Sequence, residues 1–96
     1  MIQSFGNQLA QDLFDNRSSA TVRRFPVELK RRARRKLLYL HDAAGIKDLR
    51  SPPGNRLELL KGRCKGFQSI RINEQWRIVF HWENGNAFDV YVIDYH

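Results

Sequence analysis

Two different periods run through the apolar positions of this chain. Between Phe25 and Ala44, the residues Leu29, Ala33, Leu37, Leu40 and Ala44 recur at spacings of four, four, three and four, which is one stripe of an α-helix. Pro26 suits its first turn and Gly45 its stop. From Phe67 onward the period falls to two, the signature of strands. In FQSIRI, Ile70 and Ile72 take one side, and Phe67, Ser69 and Arg71 the other. In QWRIVFHW, Trp76, Ile78, Phe80 and Trp82 oppose Gln75, Arg77, Val79 and His81. The last strand sets Phe88, Val90 and Val92 against Asp89, Tyr91 and Ile93, and Glu83-Asn84-Gly85-Asn86 predicts the hairpin turn before it.

These strands predict an antiparallel meander with one apolar face, which the helical stripe covers. The other face is expected to stay open and to carry Ser69, Arg71, Gln75, Arg77, His81 and Tyr91. The opening IQSF reads as a short strand for a sheet edge, and Asp15 to Ala20, DNRSSA, as a mobile loop. Pro52, Pro53 and Gly54 forbid helix and ladder alike, after which Arg56 to Leu60 can form a short strand. Gly62 and Gly66 bracket a tight basic loop with Lys61, Arg63 and Lys65. Ninety-six residues, 42% of them apolar, suffice for one core, so a single α+β domain over 1–96 is expected.

Charge sharpens the picture. All 17 Lys and Arg lie between Arg17 and Arg77 against five acids in that span, a net of +12, and both ends are net acidic. Arginine outnumbers lysine 12 to 5, which favours planar, bidentate contact with phosphate or carboxylate. Nucleic acid or an acidic protein partner is implied. On the helix, KRRARRK crowds Lys30, Arg31, Arg32, Arg34, Arg35 and Lys36 into two turns, either a partner-binding surface or a solvated basic face. No window approaches the roughly 18 consecutive apolar residues of a membrane span. The start MIQSFGNQLAQDLFD lacks a basic, apolar leader, so a cytoplasmic protein is expected. The one cysteine, Cys64, cannot form an internal disulfide.

DLRSPPGNRLELLKG, then SIRINEQWRIVF, then a terminal DYH, in that order and spacing, resemble the HigB branch of the RelE/ParE toxin superfamily, the killer components of toxin–antitoxin pairs. The resemblance runs from MIQSF to His96. It implies a RelE-like fold, a small antiparallel-rich sheet packed on one long basic helix plus a short N-terminal helix. It also implies ribosome-dependent endonuclease activity on messenger RNA. The implied partners are the ribosome, mRNA and a HigA-type helix-turn-helix antitoxin, with operator DNA reached only through the antitoxin complex. No cofactor and no membrane partner are implied.

RNA is cut without a metal when its own 2′-hydroxyl attacks the adjacent phosphorus. That chemistry needs a base, cations for the crowded phosphorane, an acid for the leaving oxygen and a clamp on the phosphate. Arg77 is the expected clamp, with Arg71 and Lys61 as the next candidates for that role; its structural alternative is a cross-strand ion pair with Asp89 or Glu74. Asp94, Tyr95 and His96 form the expected terminal cluster: in an extended segment Asp94 and His96 share a side, and Tyr95 points away. Where some cleaving relatives carry a histidine, this chain has Glu58, either a general base or a partner for Arg56 or Arg77. Lys61, Arg63, Lys65, Arg71, Arg31, Arg34 and Arg35 are the expected RNA-binding residues. His41, His81, His96 and Cys64 share no metal-ligand spacing, and Trp76 and Trp82 belong to the core face. Two other readings remain, a ParE-like inhibitor of DNA gyrase and a non-catalytic RNA-binding module.

Overall fold

The computed structural model describes residues 1–95, apart from the side chain of Cys64. Three helices, α1 (Gln8–Phe14), α2 (Ala20–Arg23) and α3 (Lys30–Asp42), precede four strands, β1 (Glu58–Leu59), β2 (Gln68–Arg71), β3 (Trp76–Glu83) and β4 (Asn86–Asp94). The strands pair antiparallel in sequence order.

The helical stripe forms as its spacing dictates. Leu29, Ala33, Leu37 and Leu40 are all buried, and fully burying a leucine contributes about 2 kcal/mol. The helix enters through a 3₁₀ turn at Val27–Leu29, after Pro26. It ends two residues before the predicted Ala44: Ala43 is already extended and takes the last buried place, and Ala44 is exposed. Gly45 instead opens a 3₁₀ turn, Ile46–Arg50, where the Asp48 carboxylate accepts from the amides of Ala44 and Gly45 at 3.0 and 3.2 Å. Packed beneath the stripe are Ile70, Ile72, Ile78, Phe80, Val90 and Val92.

The chain's start does pair at an edge, in parallel with β4: Gln3 and Gly6 donate to the carbonyls of Ala87 and Val90 at 2.8 and 2.7 Å. Asn7 then caps α1, its Oδ1 accepting from the Ala10 amide while its Nδ2 donates to the Val92 carbonyl at 2.9 Å. One side chain thus fixes α1 to the end of β4. Gly6 is required here by closeness, because a Cβ at that position would overlap the Tyr91 ring. Gly6→Ala is expected to cost about 1–3 kcal/mol and to lower the melting temperature by about 4–8 °C per kcal/mol, measured by thermal unfolding. The predicted loop DNRSSA gives way at Ser19, whose Oγ accepts from the Val22 amide at 3.1 Å and starts the short helix α2.

Two corrections concern the sheet. The Asn84-Gly85 turn forms as predicted, with φ of 51° and 78°, but the alternation assigned to β4 breaks at Asp89. There φ is 51° and the register slips between Val79 and His81. The extra residue shifts the pleat by one. Ala87 therefore joins the core, while Phe88 pairs with His81 on the opposite face from Val90. Second, the face predicted to be open is closed in its middle: Ser69, Val79 and Arg77 are 0%, 3% and 9% exposed.

Candidate functional site

Antiparallel register puts Arg71 beside Arg77 and Arg77 beside Ile93 in one row across the sheet. Two residues beyond Ile93 stands Tyr95, on the Arg77 side of the strand, its amide held by the Gln75 carbonyl at 2.7 Å. The Arg77 side chain lies diagonally across the sheet. Its Nε donates to Ser69 Oγ at 2.8 Å and Nη2 to the Arg56 carbonyl at 2.8 Å, with Glu58 Oε1 at 4.0 Å from Nη2. The two hydrogen bonds use two of the five guanidinium donors. A flexible cation has become a fixed one.

Burial holds the Arg77 pKa below the usual arginine range. Glu58 opposes that effect, Arg71 and Arg56 add to it, and Tyr95 works on the side of Glu58. The guanidinium stays charged regardless. The same interactions show what surrounds it: two further cations, one carboxylate and one phenol. The two acids suggested as alternative partners are engaged elsewhere. Glu74 lies 3.9 Å from Arg71, and Asp89 accepts from Ser4.

The carbonyl that grips Arg77 is itself positioned by a buried polar link that sequence reasoning missed. Asn55, 0% exposed, donates through Nδ2 to the carbonyls of Leu49 and Ser51 at 3.2 and 3.3 Å and accepts at Oδ1 from Lys36 Nζ. Arg56 follows in the left-handed region with φ of 45°, which turns its carbonyl toward the sheet. Lys36 was counted among the helix's outward cations, yet it is only 9% exposed. Its pKa is lowered, first by burial and then by Arg32, Arg35 and Arg71. The legible signal was the helical phase: Lys36 follows Ala33 by three and precedes Leu40 by four, so it borders the apolar stripe.

The expected terminal cluster divides. Asp94 pairs in register with Trp76 and accepts from Gln75 Nε2 at 2.8 Å, so it faces away from Arg77, whereas Tyr95 faces toward it. Tyr95 thus points away from Asp94, as an extended segment requires, and it is the Tyr95 side that carries Arg77. His96 lies outside the described residues. Lys61, Arg63 and Lys65 are exposed on the loop that Gly62 and Gly66 shape, with φ of 68° and 90°, and the Leu60 amide closes it onto the Phe67 carbonyl at 2.8 Å. That loop leaves β1 three residues after Glu58. Arg31, Arg34 and Arg35 instead line a cleft toward α1 and α2. Among the described residues, no three His, Cys, Asp or Glu are placed to share a metal ion, and no helix is long and apolar enough to cross a membrane.

Residues 3–96 match the family described as RelE-like toxin of type II toxin–antitoxin system HigB. The chain is 44% identical over 70 residues to Toxin HigB-1 of Vibrio cholerae, spanning 73% of this chain and 74% of that one. It is 31% identical to Endoribonuclease HigB of Proteus vulgaris over 96 residues, the whole of both chains. Among solved structures, a chain of the YoeB–YefM complex from Staphylococcus aureus superposes with a TM-score of 0.56 at 14% identity, covering 100% of this chain and 98% of that one. The last likeness concerns the fold alone, an α+β sandwich of helices on an antiparallel sheet. A match of this extent, on a sheet that gathers arginines around a fixed guanidinium, places the chain in the family of HigB-like toxins of type II toxin–antitoxin systems.

Proposed function

We propose that this chain is a ribosome-dependent endoribonuclease that cuts messenger RNA in the cytoplasm and is neutralised by a HigA-type antitoxin. Arg77 is the observation that carries the reading: a guanidinium locked by Ser69 and Arg56 beside Arg71, Glu58 and Tyr95. Such a group holds a phosphate in line and meets the extra charge of the phosphorane without reorganising. Glu58, half exposed, takes the 2′ proton. Arg71 and Arg56 share the developing negative charge. Tyr95, with its phenol toward the same spot, stacks on a base or donates to the phosphate. His96 supplies the acid for the leaving 5′ oxygen, and Asp94, which faces away from Arg77, orients it without touching the RNA. The products are a 2′,3′-cyclic phosphate and a 5′-hydroxyl.

The exposed loop of Lys61, Arg63 and Lys65 presents the RNA-facing charge, which rewards contact with phosphates in a salt-dependent way. A HigA-type partner brings the helix-turn-helix, so operator DNA is reached through the complex. The test is to induce the protein in cells and map RNA ends. New 5′-hydroxyl ends inside translated messages are expected. Intact messages with double-stranded DNA breaks would overturn the reading in favour of a gyrase inhibitor, and unaffected growth with intact messages would leave only a binding module.

A further inference from the structure

A cleft of about 580 Å³ opens between α3 and the segment joining α1 to α2. Its walls carry Arg17, Lys30, Arg31, Arg34 and Arg35, and its floor includes Leu13, Val22 and Leu38. One carboxylate also lines it, that of Asp12. Asp12 is already committed: it is 3% exposed and accepts from Gln8 Nε2 at 2.8 Å. Hydrogen bonds from Gln8 and then Ser19 hold its pKa down against its burial, with the Arg17 charge adding to them, so it stays ionised and offsets one of the five cations around it. Among the described residues, Arg34 Nε is buried with no hydrogen-bond partner. A buried guanidinium donor left unmatched is costly, and an acceptor supplied from outside relieves it.

We propose that this cleft is the docking site for an acidic segment of the antitoxin, one that carries apolar side chains next to its carboxylates. The inference rests on the toxin–antitoxin reading above. Two features select a protein segment over RNA. The apolar floor offers nothing to a phosphodiester backbone but buries aliphatic side chains well. Side chains of α3, α1 and the segment after α1 line the cleft around an occupant, whereas Lys61, Arg63 and Lys65 stand exposed on an open loop. Charge complementarity then requires acids: Lys30, Arg31, Arg34 and Arg35 repel one another at helical spacing until carboxylates come between them. Arg31, Arg34 and Arg35 thereby serve the partner, and the RNA is left to the Arg77 side.

The experiment uses the whole protein with the antitoxin encoded beside it. Arg17→Glu combined with Lys30→Glu is expected to weaken antitoxin binding on the order of 100-fold, measured by calorimetry. The same variant is expected to kill cells lacking antitoxin at the wild-type inducer level. Thermal unfolding verifies its fold, with Arg17→Gln and Lys30→Gln as the milder pair. Arg34→Met, which keeps the stem and removes the buried donor, is expected to weaken the antitoxin on the order of tenfold. Unchanged affinity in the charge-reversed variant overturns the proposal. So does loss of killing in a folded variant, whether or not antitoxin binding survives, because the cleft would then belong to the ribosome-facing surface. If the wild-type protein itself neither kills nor cleaves, the endoribonuclease reading fails, and the affinity comparison still decides the cleft.

Discussion

Arg77→Lys is expected to lose messenger RNA cleavage by on the order of 10²–10³-fold while the domain still folds. Lysine keeps the charge but is a point donor on a flexible stem. It cannot hold Ser69 and the Arg56 carbonyl together and still present a rigid face to a phosphate, and one preorganised donor removed from a charged transition state costs about that factor. Arg77→Ala is expected to abolish killing too, but it is the less clean variant. It leaves Ser69, at 0% exposed, and a carbonyl without their partner, at about 1–3 kcal/mol. Cleavage assayed on programmed ribosomes, together with unfolding curves for both variants, separates the two effects. A lysine variant that cuts at the wild-type rate would show that Arg77 is structural and that Arg71 or Arg56 holds the phosphate.

Asn55→Ala is expected to lower the melting temperature by roughly 12–24 °C, the equivalent of about 3 kcal/mol in a domain of this size. The change strands the buried Lys36 ammonium and frees two carbonyls, those of Leu49 and Ser51. It is also expected to slow cleavage at temperatures where the variant is folded, because the Arg56 carbonyl that positions Arg77 loses its anchor. A destabilised variant with wild-type turnover would show that the two are uncoupled. Lys36 adds a pH dependence to the same link. Its pKa is lowered in the fold, by burial first and then by Arg32, Arg35 and Arg71. Between that lowered value and the ordinary lysine value the unfolded chain binds more protons, so stability rises with pH through the window. Urea unfolding at about pH 7 and about pH 9.5 is expected to show this rise in the wild type and not in Lys36→Met. An identical pH slope in both would assign it to other groups.

Much of the architecture was legible because it follows from local periodicity. The stripe Leu29, Ala33, Leu37, Leu40 and the alternation of Ile70, Ile72, Ile78 and Phe80 each bury a face whatever the rest of the chain does. The Asn84-Gly85 turn is set by two residues that tolerate positive φ. Spacing likewise put Arg71 and Arg77 on one face, since a β-strand fixes which side chains share it, whereas Glu58 and the role expected of Arg77 came from the family resemblance. The bulge at Asp89 escaped, because the slip is stabilised from outside β4, by the Ser4 hydroxyl that accepts from the Asp89 amide at 2.9 Å. Its effect reached Phe88 and Ala87, which exchanged faces.

What the order of residues determined by itself was the long helix and the run of strands, most of their apolar faces and the family to which their motifs belong. Only the tertiary structure decided which cations act together. Lys36 and Arg35 are neighbours in sequence, yet one is buried against Asn55 and the other lines the cleft, since a helix turns about 100° per residue and its packing partners differ around it. Arg77 became a fixed guanidinium because Ser69 and the Arg56 carbonyl, eight and 21 positions away, arrive at its side chain when β1, β2 and β3 pair. Periodicity reports the face a residue occupies, whereas the charge it meets there depends on contacts between distant parts of the chain.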